Sequence, residues 1–436
     1  MNNQKRIKNK VILILVAFIC LIGLGFVLRQ IQQENAKPVH AKDNIILEYG
    51  SKIPNETFIE NYLDVKEPDQ VTISVNLDEL DTSKIVKNKK GRVDVTVDGT
   101  VYTLKLKYSV EDTQLPIIMG PFTLITPYGM TPDYASLFKA YDLVDGTLTV
   151  EAMNELDATK PGKQDITIAA KDLNNNVSEH KVTISVKEEN TATLGKPEKV
   201  AVFGYHGVAQ DAKKESDYKN NIYWVSTSQF DREMKAIVDE GYTAITLKEF
   251  EDWYLRGGKI PEKSVLITFD DGIREGIQEA TPILEKYKLS AVSFNIMKSL
   301  EVDNNYGLRM EDLLASGHVF EHQSHSYDLH YALERKDGAF SALAHSDIER
   351  IKDDFKKTES IYKPRYMAYP YGSHSPKVTQ MLEEFDYKLG FLFSSNRSER
   401  RLAMPKDGPW AVRRVPVLDN TPIEIFVKTL KGQYNN

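Results

Sequence analysis

Hydrophobic and polar positions change texture several times along the chain. Lys5, Arg6, Lys8 and Lys10 precede an unbroken apolar run from Val11 to Leu28, closed by Arg29. A helix of that run, at ~1.5 Å per residue, is roughly 27 Å long and matches the hydrocarbon thickness of a bilayer. Signal-peptide cores are shorter, about 7–15 residues. The pattern therefore predicts a basic cytoplasmic segment at 1–10 and a transmembrane anchor at 11–28. The positive-inside rule then puts the remainder of the chain outside the cell. Cleavage after Val39-His40-Ala41, giving a secreted chain, is the alternative. Residues 29–42 are polar and unpatterned, and read as a stalk.

From Asp43 the period shortens to two. Val71–Val75, Val93–Val97 and Val101–Leu106 alternate, and Asp98-Gly99 between the last two is a hairpin signal. Gly91-Arg-Val-Asp-Val-Thr-Val97 is echoed 71 residues later by Gly162-Lys-Gln-Asp-Ile-Thr-Ile168. This predicts two small β-sandwiches in tandem, at 43–112 and 113–188, which resemble the immunoglobulin-like modules of bacterial surface proteins. Asp172, Asn174 and Asn176 suit either a hairpin turn or a calcium loop. Otherwise these modules read as a spacer or a carbohydrate contact.

After a charged linker at 189–198, strands alternate with amphipathic helices through 199–436. Val200–Gly204, Ser264–Phe269 and Ala291–Ile296 read as strands and Ile277–Lys286 as a helix. Ser228 is a candidate cap for a second helix, in which Phe230, Met234, Ile237 and Val238 recur at helical spacing. The alternation predicts an α/β fold, a distorted β/α barrel, with its chemistry at the C-terminal ends of the strands.

Composition narrows the chemistry. With 56 Lys and Arg against 63 Asp and Glu, the net charge is −7. Nucleic-acid binding, which needs a basic face, is not expected. The single cysteine, Cys20, falls in the apolar run and excludes an internal disulfide. What remains is carboxylates, imidazoles and hydroxyls.

The strand 264–269 ends in Asp270-Asp271-Gly272. Adjacent carboxylates at a strand tip need a cation or hydrogen-bond donors. Their side chains diverge, so one can ligate a metal while the other acts as a base, or the pair simply caps a turn. Downstream, His322, His325 and His330 lie within nine positions. Imidazoles with a carboxylate are the usual ligand set of catalytic Zn²⁺. His322 falls back within the preceding strand and reads as structural.

These residues carry a resemblance. Thr268-Phe-Asp-Asp-Gly272, His325-Ser326…His330 and Tyr369-Pro-Tyr-Gly372 resemble three motifs of the polysaccharide deacetylases, the NodB-homology or family-4 carbohydrate esterases. Phe203–Val208 and Arg414–Val417 match as well, over about residues 198–436. The resemblance implies metal-dependent removal of N-acetyl groups from a glycan. Asp271, His325 and His330 would hold a divalent metal, with Zn²⁺ the expected ion, and Asp270 would be the general base. Pro370 and Tyr371 would wall the sugar groove, with Ser326 beside the histidine loop.

Three departures refine the expectation. The metal-binding histidines are five apart rather than four, which is similar to the branch acting on poly-β-1,6-N-acetylglucosamine. The family's Asp-Trp motif has no counterpart beyond Trp410, so Arg414, or else Arg365, is the candidate orienter of Asp270. No histidine follows His374, so His206, ahead of His374, is the candidate general acid. The expected substrate is an extracellular N-acetylhexosamine exopolysaccharide. Peptidoglycan is the alternative, and an inactive glycan-binding surface protein is the rival of another class.

Overall fold

The structure is a computed structural model describing residues 24, 29, 36–68, 71–302, 304–335, 338–394 and 401–433. The chain divides into two compact units, Met1–Gln114 and Leu115–Asn436.

In the first unit, β1 (Ile45–Glu48), β2 (Ile73–Asn76), β3 (Val86–Val97) and β4 (Thr100–Glu111) form a sheet in the order β1-β4-β3-β2. Helix α1 (Asn55–Tyr62) places Phe58 in the core with Val93, Val95, Leu104 and Leu106. The expectation of an all-β sandwich is thus corrected here. The apolar face of the sheet is closed by a helix, and the two-residue period carries no signal for it.

The expectation of a transmembrane helix at 11–28 is corrected too. Spanning a bilayer takes about 20 apolar residues in one helix. Among the described residues no helix is long and apolar enough to cross a membrane. Of that segment only Leu24 is described, and the rest lies outside the described residues, as does 1–10. The single-pass localisation and the membrane as a partner have no support among the described residues.

The second unit opens with two small sheets. One contains β5 (Ile117–Met119), with the other two strands at Lys139–Asp142 and Gly146–Leu148. The other contains β6 (Thr123–Thr126), the short strand Val150–Ala152, β7 (Gly162–Lys171) and β8 (Val177–Val186). Ile166, Ile168, Val182 and Ile184 pack on Phe138 between them. The 172–176 segment is a hairpin turn, in which Asp172 accepts the Asn176 backbone N–H at 2.8 Å and its side-chain amide at 2.6 Å.

The remainder is built on an eight-stranded parallel sheet. Its members are β9 (Ala201–Tyr205), β10 (Thr243–Ala244), β11 (Ser264–Phe269), β12 (Ala291–Asn295), β13 (Phe320–Ser324), β14 (Tyr366–Ala368), β15 (Leu389–Phe391) and β16 (Val415–Pro416). The order is β15-β14-β13-β12-β11-β9-β16, with β10 alongside β11. The short stretch 412–416 touches both edges, bridging Val412 to Phe391 and pairing Val415 with Phe203, so the sheet curls nearly shut. Every residue of β11 is buried, as its continuous apolar run requires of a central parallel strand.

Helix α2 (Thr227–Asp239) packs Phe230, Met234 and Ile237 on this sheet, whereas Val238 is exposed. Its cap is Ser226, which accepts the Gln229 N–H at 3.1 Å. Ser228, the expected cap, donates to Asp211 instead. The helix starts earlier because the strand at Trp224–Ser226 ends directly on it.

The small sheets dock at the N-terminal ends of β13 and β14. Lys363 donates to the Ser136 carbonyl and Arg365 to the Ser136 hydroxyl, at 3.0 and 2.6 Å. Gly317, just before β13, lies against Thr123 of β6, and a Cβ there would sit 2.2 Å from a Thr123 methyl. Gly317→Ala is therefore expected to cost about 1–3 kcal/mol through overpacking. Chemical denaturation and limited proteolysis should show lower stability and earlier release of the 115–188 segment, with the sheet of the barrel preserved.

Candidate active site

The tip of β11 fixes two carboxylates in different surroundings. The Asp270 N–H donates to the Tyr205 carbonyl at 3.0 Å, extending the ladder between β11 and β9 by one residue. Asp271 and Gly272 then turn left-handed, at φ 70° and 64°. A side chain at Gly272 would press on Asn295 Oδ1 at 2.8 Å, so glycine is needed for space as well as for its φ. The turn aims the Asp271 carboxylate away from that of Asp270.

Asp270 is 2 % exposed and faces Arg414. Arg414 donates to both carboxylate oxygens, Nη1 to Oδ1 at 2.6 Å and Nη2 to Oδ2 at 2.7 Å. Its Nε donates to the Leu392 carbonyl at 2.9 Å, and Nη1 also reaches Thr268 Oγ1 at 3.1 Å. The rings of Phe294 and Phe393 flank the guanidinium, 5.6 and 5.3 Å from their centroids. Burial is the largest influence and pushes the Asp270 carboxyl up, but the charge and hydrogen bonds of Arg414, together with the charges of His325 and His206, outweigh it and hold the group below the ordinary carboxylate value. Asp270 is an ionised carboxylate with a lone pair still free on each oxygen. Arg365 lies elsewhere, at the start of β14 against Ser136.

Asp271 faces the histidines. Its Oδ1 is 3.4 Å from His325 Nε2 and 3.1 Å from His330 Nε2. His325 Nδ1 lies 2.8 Å from the Ala368 carbonyl, which can only accept, so Nδ1 carries the proton and a neutral His325 turns a bare lone pair toward Asp271. Lone pairs on carboxylate and imidazole repel at this range unless a cation lies between them. With no ion present, burial lowers the proton affinity of His325, but the charges of Asp270 and Asp271 raise it further, and the net shift is upward. A divalent cation meets the same demand with the imidazole neutral. One carboxylate oxygen and two Nε2 atoms, all within 4.8 Å of one another, fit such an ion. Tetrahedral zinc, with ligands at about 2.0–2.2 Å, calls for ligand separations of about 3.3 Å.

The other expected residues divide. Tyr371 is left-handed (φ 57°), 54 % exposed and stacked on His330 with centroids 5.0 Å apart, while Pro370 beside it is buried. Ser326 is fully buried, with its hydroxyl unpartnered among the described residues. His206 follows β9 with its ring against Tyr223 and Phe393, and its buried Nδ1 is unpartnered among the described residues. Burial lowers its proton affinity, only partly offset by Asp270 and Asp271. His374 stacks on Tyr369. His322 is a structural histidine of β13, hydrogen-bonded to Asn295 and Ser316 and held neutral by burial, which brings its pKa to about 3.

One residue was not singled out in the sequence. Asp354, on α3 (Ile348–Ile361), accepts the backbone N–H groups of Tyr327, Asp328 and Leu329 at 2.8, 2.9 and 3.1 Å. It thereby pins the loop that joins His325 to His330. The available signal is its position in the buried stripe Ile351, Asp354, Phe355, Thr358, where a carboxylate interrupts an apolar face.

Residues 257–390 match the family model described as Polysaccharide deacetylase. The chain contains a polysaccharide deacetylase domain. A Staphylococcus aureus protein named poly-beta-1,6-N-acetyl-D-glucosamine N-deacetylase is 29% identical over 221 residues, 48% of this chain and 73% of that protein. Among solved structures, the Streptococcus pyogenes deacetylase PplD in complex with acetate is 22% identical and covers 54% of this chain and 99% of its own, with a TM-score of 0.46. IcaB from Ammonifex degensii is 24% identical, with coverages of 55% and 99% and a TM-score of 0.44. The curated relative is named as an N-deacetylase, and the family of the matched domain is generally metal-dependent.

The Asp354 contacts lead to a direct expectation. Asp354→Asn keeps the size but turns an amide N–H₂ toward backbone N–H groups, so the loop loses acceptors. Outer-shell substitutions of this kind typically weaken metal binding about 10–100-fold. Chelator competition with Zn²⁺ should show that loss, with unchanged circular dichroism.

Proposed function

We propose that the deacetylase domain hydrolyses the N-acetyl groups of an extracellular poly-N-acetylglucosamine-type exopolysaccharide with the help of a divalent metal, zinc in the first instance. The observation that carries this reading is the pair of diverging carboxylates, one locked by Arg414 and the other aimed at the Nε2 atoms of two imidazoles. The name of the staphylococcal relative supports the substrate class.

Asp271, His325 and His330 would hold the metal, which when bound polarises the acetamide carbonyl and lowers the pKa of a water. Asp270 takes the proton from the attacking water. Arg414 keeps Asp270 ionised and fixes its plane. Tyr371 and Pro370 form the wall against which a sugar ring rests. The C–N bond of the acetamide breaks, acetate leaves, and the nitrogen acquires a proton to become an amine. His206, between Tyr223 and Phe393, is the proposed proton donor for that step.

Acetate release by the zinc-loaded protein tests the reading. It is expected from β-1,6-linked N-acetylglucosamine oligomers, in excess over β-1,4-linked chitooligomers and peptidoglycan. Asp270→Asn should reduce it by ~10²–10⁴-fold. Preference for peptidoglycan would move the assignment to wall modification. Silence on every substrate, with metal bound, would favour a glycan-binding protein.

The arginine makes a separate prediction in pH. Arg414→Lys keeps a charge but loses the two-pronged contact, so burial of Asp270 is less well opposed and its pKa rises. A base works only above its pKa, so the acid limb of kcat/KM should move to higher pH. An unmoved limb would remove Asp270 from the role of base.

A further inference from the structure

The first unit carries a feature that deacetylation does not use. The register of β3 and β4 sets Lys90 opposite Lys107 and Arg92 opposite Lys105. All four are exposed, on the face of the sheet opposite that of Val93, Val95, Leu104 and Leu106. Like charges directly opposite on paired strands destabilise a sheet. Here two such pairs stand in succession, and none of the four makes an ion pair among the described residues. Folding has no need of that repulsion.

Together with Lys42 and Lys87 these residues line a concavity of about 1330 Å³, whose carboxylates are Asp43, Glu79 and Glu111. Six cations thus face three anions in a chain whose overall charge is −7. None of the lining residues is aromatic, so the surface offers a neutral sugar no ring to stack on. Ammonium and guanidinium groups suit anions with several acceptor oxygens, phosphate above all. Same-face positions repeat every ~6.8 Å along a strand, so the paired cations form a track rather than a point.

We propose that this face of the first unit docks a linear phosphodiester polymer. The docking is independent of the deacetylase reading but complements it. A deacetylated glycan is a polycation, and a basic surface repels it while holding the protein on a polyanion.

The test is binding of fluorescent poly(glycerol phosphate) to the full chain, read by anisotropy across a salt series. Four cation–phosphate contacts predict a slope of log K against log salt of roughly −3, by analogy with single-stranded polyanions. The double substitution R92Q/K105Q should weaken binding at least tenfold and leave acetate release unchanged. Thermal unfolding of that variant should be unaltered or raised, because like-charge pairs are relieved. The proposal is overturned if poly(glycerol phosphate) does not bind, or if the double variant binds it equally well. Tighter binding to polygalacturonate or to phosphatidylglycerol vesicles would likewise assign the surface to a different partner.

Discussion

Arg414 gives both terminal nitrogens to Asp270 in nearly fully buried surroundings, and the remainder of the site is arranged around that contact. Burying two charges is costly, and breaking such a pair by losing one partner costs about 3–5 kcal/mol. The pair is sustained because the guanidinium is otherwise satisfied, by the Leu392 carbonyl, Thr268 and two aromatic faces. It also solves the problem of neighbouring carboxylates. With Asp270 neutralised by its own cation, Asp271 is free to serve a second positive charge among the histidines. The curled sheet makes this possible, since Arg414 belongs to the stretch 412–416 that touches both edges.

Around the second carboxylate, precision comes from strained or tethered backbone. Asp271, Ser326 and Tyr371 are all non-glycine residues with positive φ. Such conformations cost of order 1–3 kcal/mol each and persist where the surroundings over-determine them. Three N–H groups held by Asp354 supply part of that determination for the histidine loop. The Ala368 carbonyl selects the tautomer of His325. The exposed Tyr371 ring, stacked on His330, is the part left facing solvent.

The two ends of the parallel sheet serve different purposes. Asp270, His325, Pro370 and His206 all follow the C-terminal ends of their strands. The contacts with the 115–188 segment, at Gly317, Lys363 and Arg365, precede the N-terminal ends of β13 and β14. Packing against this segment therefore stiffens the sheet from the side away from the chemistry. Substitutions there should alter stability before they alter the reacting groups.

The sequence by itself determined whatever is written in local pattern. Apolar patterning located β11 and β12, helical spacing located α2, and the order of short motifs marked Asp270, Asp271, His325 and His330 as candidates, which the fold brings to one end of the sheet. Even the structural nature of His322 was legible, because its spacing from His325 sets it back within the preceding strand. What only the tertiary structure decided depends on contacts distant in the chain. The pairing of Arg414 rather than Arg365 with Asp270 spans 144 residues, and no local period encodes it. Helix α1, inserted between strands that alternate cleanly, became necessary only because a sheet face needed covering. The hold of Asp354 on the histidine loop shows in sequence merely as a charge on an apolar stripe. Side-chain periodicity records which face is buried, and the partner that buries it is recorded only in the folded chain.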